Sequence, residues 1–406
     1  MAGELVTAMA AQTTLRAPQL AGYTEELARA EADIANLQSK LQRRPGDQEM
    51  RVRLAYRLFH LASLTGNMEQ FEAVEAAVRR DLREFGPKED LCLLKANLDF
   101  RFHRLAEVKR DLEMAPLLAG RFEGRVLLAD LDFQEGRYED ARLKLEQLIK
   151  ENPTWDNIAR LAHWKCKLGD VAEANHLYEQ AEEDLTAKQM RSYAWLELQR
   201  GALAFQHGRY LEARMHYRRA EDAYPGHWHT DEHFAELLAA EGRFEEAEAL
   251  FHKIIARTPK PELQQALGEL YLVTGRPFEA QSWFDSALAT YLESVRRGEV
   301  HYFHHLADFY ADAQLEPPEA VRWARKDIEM RSNFSTQTAM AWALYLNGEL
   351  AEALEYIGLA LSSGVQDARI FSAAAKLFEA AGQSGESYTQ AAWRINPKHH
   401  NFHMHH

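Results

Sequence analysis

The dominant pattern in this chain is an alternation between helical stretches and short polar breaks. Apolar residues recur at three- and four-residue intervals, as at Ala213, Tyr217 and Ala220, which is the spacing of one buried helical face. The breaks carry glycine, arginine and an aromatic residue, with alanine three positions further on, and clear copies begin at Gly136, Gly208 and Gly242. Successive glycines from Gly136 to Gly275 lie 33, 39, 34 and 33 residues apart. This fixed period predicts stacked helix-turn-helix units.

The residue types explain how each unit would fold. The glycine ends the first helix because a left-handed residue at the C-terminal cap is unstrained when it lacks a Cβ. Seven positions earlier, a small residue lets the partner helix approach closely, at Ala129, Ala162, Gly201, Ala235, Gly268, Ala341 and Ala375. One helical pair cannot bury its apolar face alone, so neighbouring units must stack.

This register resembles the tetratricopeptide repeat over roughly residues 50–397. Small residues occupy the eighth position of the unit, glycine the fifteenth, alanine the twentieth and often proline the thirty-second. The resemblance implies an all-α fold, a right-handed superhelical solenoid of about ten stacked helix-turn-helix pairs. Two stretches, 85–118 and 301–334, lack the glycine break. We expect helical pairs there too, with bends or special contacts.

Three further segments are similar to a group of bacterial tetratricopeptide proteins whose function is unassigned. They are residues 305–310, 341–345 and 396–397, and the stretch 224–236 is similar to the same group. This resemblance implies a bacterial origin and an adaptor role, and it implies no reaction.

The pattern divides the chain into five parts. Residues 1–22 carry no helical pattern and are expected to be poorly ordered. A separate helix over 23–48 has apolar residues from Leu27 to Leu41, which predict a cap on the first repeat or, alternatively, a dimerising coiled coil. The remaining parts are the repeat array over 49–300, the C-terminal repeats after an irregular turn over 301–398, and a His-rich tail over 399–406.

Composition narrows the classes of partner. The net charge is −14, from 62 acidic and 48 basic residues, which disfavours nucleic acid because phosphate binding needs clustered Lys and Arg. Cys92 and Cys166 lie in different units, at a spacing that favours buried packing over a disulfide or zinc site. The chain shows neither a signal-peptide pattern nor a run of about 18 apolar residues. We therefore expect a cytoplasmic protein without membrane insertion, periplasmic only if a leader had been removed.

By the same resemblance, the first helix of each unit should line a concave groove. The family's contacts fall at the second, fifth, ninth, twelfth and thirteenth positions of a unit. They select Asp130, Phe133, His163, Lys167, Trp195, Phe205, Glu232, Glu236, Glu269, His304, Asp308, Trp342 and Tyr345 as candidate partner-binding residues. These aromatic and acidic side chains predict a protein or peptide partner of basic and apolar character. The ends of the solenoid could also pair with a second copy.

The 18 histidines offer an alternative function. Residues 229–233 read His-Thr-Asp-Glu-His and match H-x-x-E-H, the signature of inverted zinc proteases. If a helix has begun by residue 229, the two imidazoles lie one turn apart and could share a metal. The candidate ligands of this metal- or small-ligand-binding module are His229, His233, Glu236, His301 and His305.

Other features of the sequence oppose that alternative. Pro225 and Gly226 place the fragment at a junction between units, and Thr230 or Asp231 could cap the helix and leave His229 outside it. The sequence contains no phosphate-binding loop, dinucleotide fingerprint or nucleophile elbow. We therefore expect a non-catalytic interaction scaffold, with no cofactor beyond an adventitious divalent transition metal at the histidine clusters.

Overall fold

A computed structural model describes residues 22–402, and every regular element in that part of the chain is a helix. The helices are α1 (Tyr23–Arg43), α2 (Gln48–Thr65), α3 (Met68–Phe85), α4 (Glu89–Arg101), α5 (Leu105–Met114), α6 (Pro116–Gly120), α7 (Phe122–Gln134), α8 (Tyr138–Glu151), α9 (Trp155–Lys167), α10 (Val171–Glu183), α11 (Met190–Gln206), α12 (Tyr210–Ala223), α13 (Trp228–Ala240), α14 (Phe244–Arg257), α15 (Pro261–Val273), α16 (Pro277–Arg296), α17 (Phe303–Asp308), α18 (Pro317–Met330), α19 (Phe334–Leu346), α20 (Leu350–Ser362), α21 (Ala368–Ala380) and α22 (Glu386–Ile395). A π-helical turn, Phe309–Ala313, continues α17. Over residues 22–402, no helix combines the length and the apolar character that crossing a membrane requires.

Consecutive helices pair into units. Apart from α1 and α6, the 22 helices form ten pairs in chain order, from α2–α3 to α21–α22. The small residue of the unit allows this pairing, because a Cβ on Gly201 would lie 2.2 Å from the Tyr217 ring and one on Gly268 would lie 2.4 Å from the Phe284 ring. The predicted all-α solenoid is confirmed.

The glycine between the two helices of a unit is left-handed, as the sequence predicts. Its φ is 75° at Gly136, 69° at Gly208 and 78° at Gly242. We call this connection the glycine loop. After the Gly136 loop, the amide of Arg137 donates back to the Asp132 carbonyl at 2.8 Å, which closes the end of α7.

The two units that lack this glycine keep the same backbone turn with other residues. His103 takes the left-handed position between α4 and α5, with a φ of 59°. Leu315 takes it before α18, with a φ of 55°, after the π-helical turn has absorbed the extra residue. Left-handed backbone is strained for both residue types; the His103 ring contacts His304, whereas the Leu315 side chain is exposed.

The units wind into a superhelix whose successive coils touch. We call α1–α12 the lower coil and α13–α22 the upper coil. The contacts between them join residues about six repeat lengths apart, as in the pairs Gln134–Asn333 and Tyr138–Phe334, which are 199 and 196 positions apart. We call this line of contacts the seam. On it, Gly22, Gly66, His103, Gly136, Gly169 and Gly208 face Pro225, Trp228, His304, Ser332, Gln366 and Asn396 respectively.

The N-terminal helix belongs to this superhelix. It packs on α2 and buries Ile34 and Leu37, two of the apolar positions that a coiled coil would need. At its start, the amide of Tyr23 donates to the Pro225 carbonyl of the upper coil at 3.1 Å. Helix α1 therefore acts as an additional half-unit of the lower coil.

The C-terminal residues extend the seam beyond α22. The Lys398 ammonium lies 4.1 Å from the centre of the Tyr210 ring, and the Asn401 amide donates to the Ala240 carbonyl at 2.9 Å. Residues 399–402 of the His-rich tail thus lie against the repeats. Residues 403–406, and residues 1–21 of the N-terminus predicted to be poorly ordered, lie outside the described residues.

Candidate partner-binding surface

The first helices of the upper coil bring acidic and aromatic side chains together on the inner face. Asp308 and Asp312 lie one turn apart, at the end of α17 and in its π-helical continuation. The Trp342 indole on α19 donates to the Asp312 carboxylate at 3.0 Å. On α21, the Lys376 ammonium lies 5.0 Å from the centre of the Trp342 ring. Side chains from three successive units therefore meet here, and we call them the Asp308 site.

The side chain of Asp308 is accessible to solvent, yet it lies in an enclosed part of the molecule. Burial raises its pKa to about 7; the carboxylates of Asp312 and Glu269 also raise it, while Arg369 opposes them. A carboxylate can be both accessible and desolvated when it faces a confined interior space. Within residues 22–402, Asp308 forms no ion pair or hydrogen bond with a cationic side chain. The site is thus suited to a cationic group from outside the chain.

The other carboxylate acceptors at this site have partners of their own. The Glu269 carboxylate accepts from the Gln265 amide at 3.0 Å. Burial raises the pKa of Asp312, and the hydrogen bond from Trp342 lowers it. Tyr345 lies beside Trp342 with its ring 5.3 Å away, so it extends the aromatic edge of the Asp308 site.

The carboxylate on the corresponding surface of the lower coil is paired within the chain. Arg160 donates to both carboxylate oxygens of Asp130, each at 3.1 Å. Burial, with a smaller contribution from the nearby Lys167 ammonium, lowers the pKa of His163 to about 3. His163 is therefore neutral at physiological pH, and this part of the inner face offers no unpaired carboxylate comparable with Asp308.

Two predicted contact residues are occupied in packing. Phe133 lies edge-on to Phe334 at the seam, with ring centroids 6.1 Å apart. Phe205 is buried and stacks on Tyr210 at 5.4 Å. Trp195, in contrast, is 39% exposed. A partner could reach Trp195 without rearrangement, whereas Phe205 would have to move.

The H-x-x-E-H fragment lies on α13, which begins at Trp228 with His227 as its N-cap residue. The expectation that Thr230 or Asp231 caps this helix is therefore wrong, because the chain becomes helical directly after the Pro225–Gly226 turn. His229 consequently lies inside the helix, one turn before the second histidine of the fragment.

The side chains of this fragment interact among themselves. His229 Nδ1 lies 2.9 Å from a Glu232 carboxylate oxygen, and His233 Nδ1 lies 3.7 Å from one of Glu236. The two imidazole rings are 4.6 Å apart between centroids. Glu232 and Glu236 are both buried, so neither is displayed on an open surface.

The second histidine cluster lies at the seam. The rings of His103 and His304 are 5.3 Å apart, and His305 Nε2 lies 3.9 Å from a Glu262 oxygen. Burial lowers the pKa of His301 and of His305 to about 4, which keeps both imidazoles neutral near pH 7. In the part of the chain that the structure describes, no three His, Cys, Asp or Glu side chains converge well enough to hold a metal ion.

Two residues of the Asp308 site, Asp312 and Lys376, and the neighbouring Arg369 were absent from the predicted set. Asp312, Arg369 and Lys376 occupy the thirteenth, second and ninth positions of their units, all of which are contact positions in the resemblance. The sequence thus contained the signal, and the irregular turn after α17 obscured the register around Asp312.

Ten stacked helical pairs around a polar inner face define a helical-repeat solenoid. Two family models match parts of it: Tetratricopeptide repeat over residues 204–270, and TT21 fifth ARM repeats domain over residues 123–197. The chain therefore carries tetratricopeptide-repeat sequence at residues 204–270. Its membership of the bacterial group stays a prediction.

Solved structures with a similar arrangement of helices differ widely in sequence. The Cut9–Hcn1 hetero-tetramer of the APC/C is 14% identical, covering 92% of this chain and 85% of that one, with a TM-score of 0.43. PilF of Pseudomonas aeruginosa is 20% identical, covering 51% and 90%, with a TM-score of 0.32. The human IFIT1 dimer with PPP-AAAA is 13% identical, covering 84% and 80%, with a TM-score of 0.47. No curated protein matches the sequence.

Proposed function

We propose that this protein is a non-catalytic scaffold that binds a protein segment along its inner face. The segment would place a cationic side chain at the Asp308 site and apolar side chains against Trp342 and Tyr345. Tetratricopeptide-repeat proteins bind protein partners, and this coarser role extends to the present chain.

The observation that carries the proposal is the accessible carboxylate of Asp308, which is enclosed by protein and, within residues 22–402, feels Arg369 only through space and forms no ion pair or hydrogen bond with a cationic side chain. Holding a carboxylate in such a place costs folding free energy, since burial disfavours its charged form. A lysine or arginine from a partner would offset that cost with a charge-assisted hydrogen bond. The ring of Trp342, which already faces Lys376, would add apolar contact with the incoming side chain.

The test is copurification of the untagged partner at endogenous levels, with the double variant Asp308→Asn/Asp312→Asn. We expect the partner to be retained by the unmodified chain and lost from the variant by about tenfold or more, because one desolvated charge pair contributes several kcal/mol. Glu245→Gln/Glu355→Gln is the matched control, since it removes two exposed carboxylates from second helices.

If both double variants retain the partner as well as the unmodified chain does, the Asp308 site is not where the partner binds. Recovery lost equally with both would point instead to a general effect of net charge. For the metal-binding alternative, His229 does lie one turn before His233 on α13, but no third ligand converges with them among the described residues; elemental analysis of protein lacking residues 399–406 is its direct test. The cytoplasmic location, the bacterial origin and pairing through the ends stay predictions.

A further inference from the structure

The seam joins the coils at five successive units and at the N-terminal helix. The joining contacts, lower coil first, are Tyr23–Pro225 (3.1 Å), Leu64–Trp228 (3.1 Å), His103–His304 (5.3 Å between ring centroids), Gln134–Asn333 (3.1 Å), Lys167–Gln366 (2.8 Å) and Tyr210–Lys398 (4.1 Å). On the lower coil one contact follows another at each unit, so the seam closes the inner face along its length at these points.

The two coils approach as closely as their backbones allow. A Cβ on Gly136 would lie 2.4 Å from the Ser332 carbonyl oxygen, and one on Gly169 would lie 2.8 Å from Gln366 Cβ. At these two loops a polypeptide chain could not pass between surfaces that exclude a single methyl group. Lateral entry of a ligand there would require the seam to open.

The number of units in a coil limits the width of the interior. Six first helices packed side by side at about 10 Å form a hexagon whose radius is also about 10 Å. Subtracting about 5 Å for half the thickness of each helix leaves a space roughly 10 Å across. An extended strand with its side chains needs about that width. A folded domain of about 100 residues, with a radius of gyration near 13 Å, is far too large.

We propose that the inner face is a tunnel and that its occupant is a linear polypeptide segment that enters through an end of the superhelix. This inference rests on the proposed function for the protein nature of the occupant. It adds the conformation of the occupant and its route of entry, since a folded partner or an internal loop of one could not reach the Asp308 site.

Charge indicates the chemistry of the occupant. Asp308 and Asp312 face the tunnel in the upper coil beside Arg369 and Lys376 but form no ion pair with them among the described residues, whereas Asp130 in the lower coil is already paired with Arg160. A segment with lysine or arginine where it passes the upper coil would be attracted, and one with acidic residues there would be repelled. The low pKa of His163, caused mainly by burial, is consistent with an enclosed interior.

The test measures access to the inner face without requiring a known partner. Cys92 and Cys166, both buried and unpaired, are replaced by alanine. A single cysteine is then introduced on the inner face by Asp308→Cys, or on the outer surface by Leu143→Cys, a position 51% exposed on α8. One reagent carries a maleimide at the end of an unstructured peptide. The other carries the same maleimide on a small folded protein.

We expect the linear reagent to label both positions, and the folded reagent to label the inner position at least about tenfold more slowly, because access then requires transient opening of the seam. Adding Gly136→Val should restore labelling by the folded reagent. Equal labelling of both positions by the folded reagent would overturn the tunnel and leave the scaffold proposal standing with an open groove. Should Asp308→Cys fail to fold, Tyr345→Cys provides a second inner position.

Other combinations of results would support one of the two proposals and contradict the other. If labelling depends on the size of the reagent but the Asp308→Asn/Asp312→Asn variant still copurifies with the partner, the tunnel is supported and the cationic partner is not. Failure of the linear reagent at the inner position, with normal labelling of the outer one, would contradict threading itself.

Discussion

The glycine loops of the lower and upper coils have the same local structure and different surroundings. Gly136 and Gly348 are both left-handed, with φ of 75° and 82°. A Cβ on Gly136 would meet the Ser332 carbonyl at 2.4 Å, whereas one on Gly348 would meet nothing within 4 Å. The local preference for glycine is therefore common to the units of both coils that contain the glycine loop, and a second requirement, imposed by the seam, applies to the lower coil alone.

The same division holds for other pairs of loops. Gly208 approaches the Asn396 side chain, with 2.5 Å to a Cβ, while Gly242 and Gly275 have open space. One sequence motif thus serves two purposes. In the lower coil it ends a helix and lets the next coil approach; in the upper coil it only ends a helix. The consequences can be separated by substitution.

The largest effect should come from alanine at the two kinds of glycine. Gly348→Ala places a Cβ at positive φ and should cost about 1 kcal/mol of unfolding free energy. Gly136→Ala adds the collision with the Ser332 carbonyl, and we expect about 2–4 kcal/mol in total because overpacking contributes a further 1–3 kcal/mol. Urea denaturation of both variants measures the difference. Equal losses of unfolding free energy in the two variants would mean that the seam accommodates the added Cβ at no cost.

A smaller effect should follow from reversing one hydrogen bond across the seam. The Asn333 amide donates to Gln134 Oε1 at 3.1 Å, while its side-chain oxygen caps α19. Asn333→Asp keeps the cap and turns the donor into an acceptor, so we expect a loss of about 1–2 kcal/mol in urea denaturation.

Asn67→Asp is the control for that substitution. Asn67 caps α3 by accepting from Gln70 at 3.1 Å in an exposed position, where the same change should be close to neutral. A similar loss in both variants would assign the effect to capping and would remove it from the seam.

How far the sequence could predict this molecule differs between the repeat and the seam. The helical pairs follow from local rules. Gly201 lets the partner helix approach closely, and the Gly208 loop ends the first helix with a left-handed residue. The seam could not be predicted, because Gly136 and Gly348 sit in the same local motif and only a partner about 200 residues away distinguishes them. The coil pitch that selects this partner is a sum of small rotations over six units.

The candidate site was predictable to a similar degree. Asp308 and Trp342 followed from their positions in the repeat. Burial of Phe205 did not, because it depends on how the ring of Tyr210 turns within the folded unit. The pairing of Asp130 with Arg160 was also invisible, since two exposed helical positions reveal a contact only when the angle between units is known.

The two left-handed residues that replace glycine should respond in opposite directions to the same substitution. Leu315→Gly relieves backbone strain at a side chain that is 70% exposed, so we expect a gain of about 0.5–1 kcal/mol. His103→Gly relieves the same strain and removes the ring that contacts His304 across the seam. We expect a net loss of about 1 kcal/mol, since truncating a packed side chain costs more than the strain it relieves. Thermal unfolding of both variants would decide, and a gain in both would show that the His103 ring contributes little.

The last comparison concerns two carboxylates at the ninth position of their units, Asp130 in the lower coil and Asp308 in the upper. The pKa of Asp308 is raised to about 7 by burial, above its value in an unfolded chain. The folded protein therefore binds the proton more tightly, and its stability declines as pH rises from about 4 to 7.

Asp308→Asn abolishes that decline. At pH 8 we expect it to raise the unfolding free energy by about 1 kcal/mol, because solvent screening of the exposed side chain reduces the full linkage effect. At pH 4, where Asp308 is protonated when folded, the substitution should change little.

Asp130→Asn removes the acceptor of two hydrogen bonds from Arg160, so it should bring no gain at pH 8. Urea denaturation at the two pH values measures all four differences. If Asp308→Asn leaves the unfolding free energy unchanged at pH 8, ionisation of Asp308 does not destabilise the fold. If Asp308→Asn raises the unfolding free energy, the native carboxylate destabilises the fold, which is expected of a residue retained for binding.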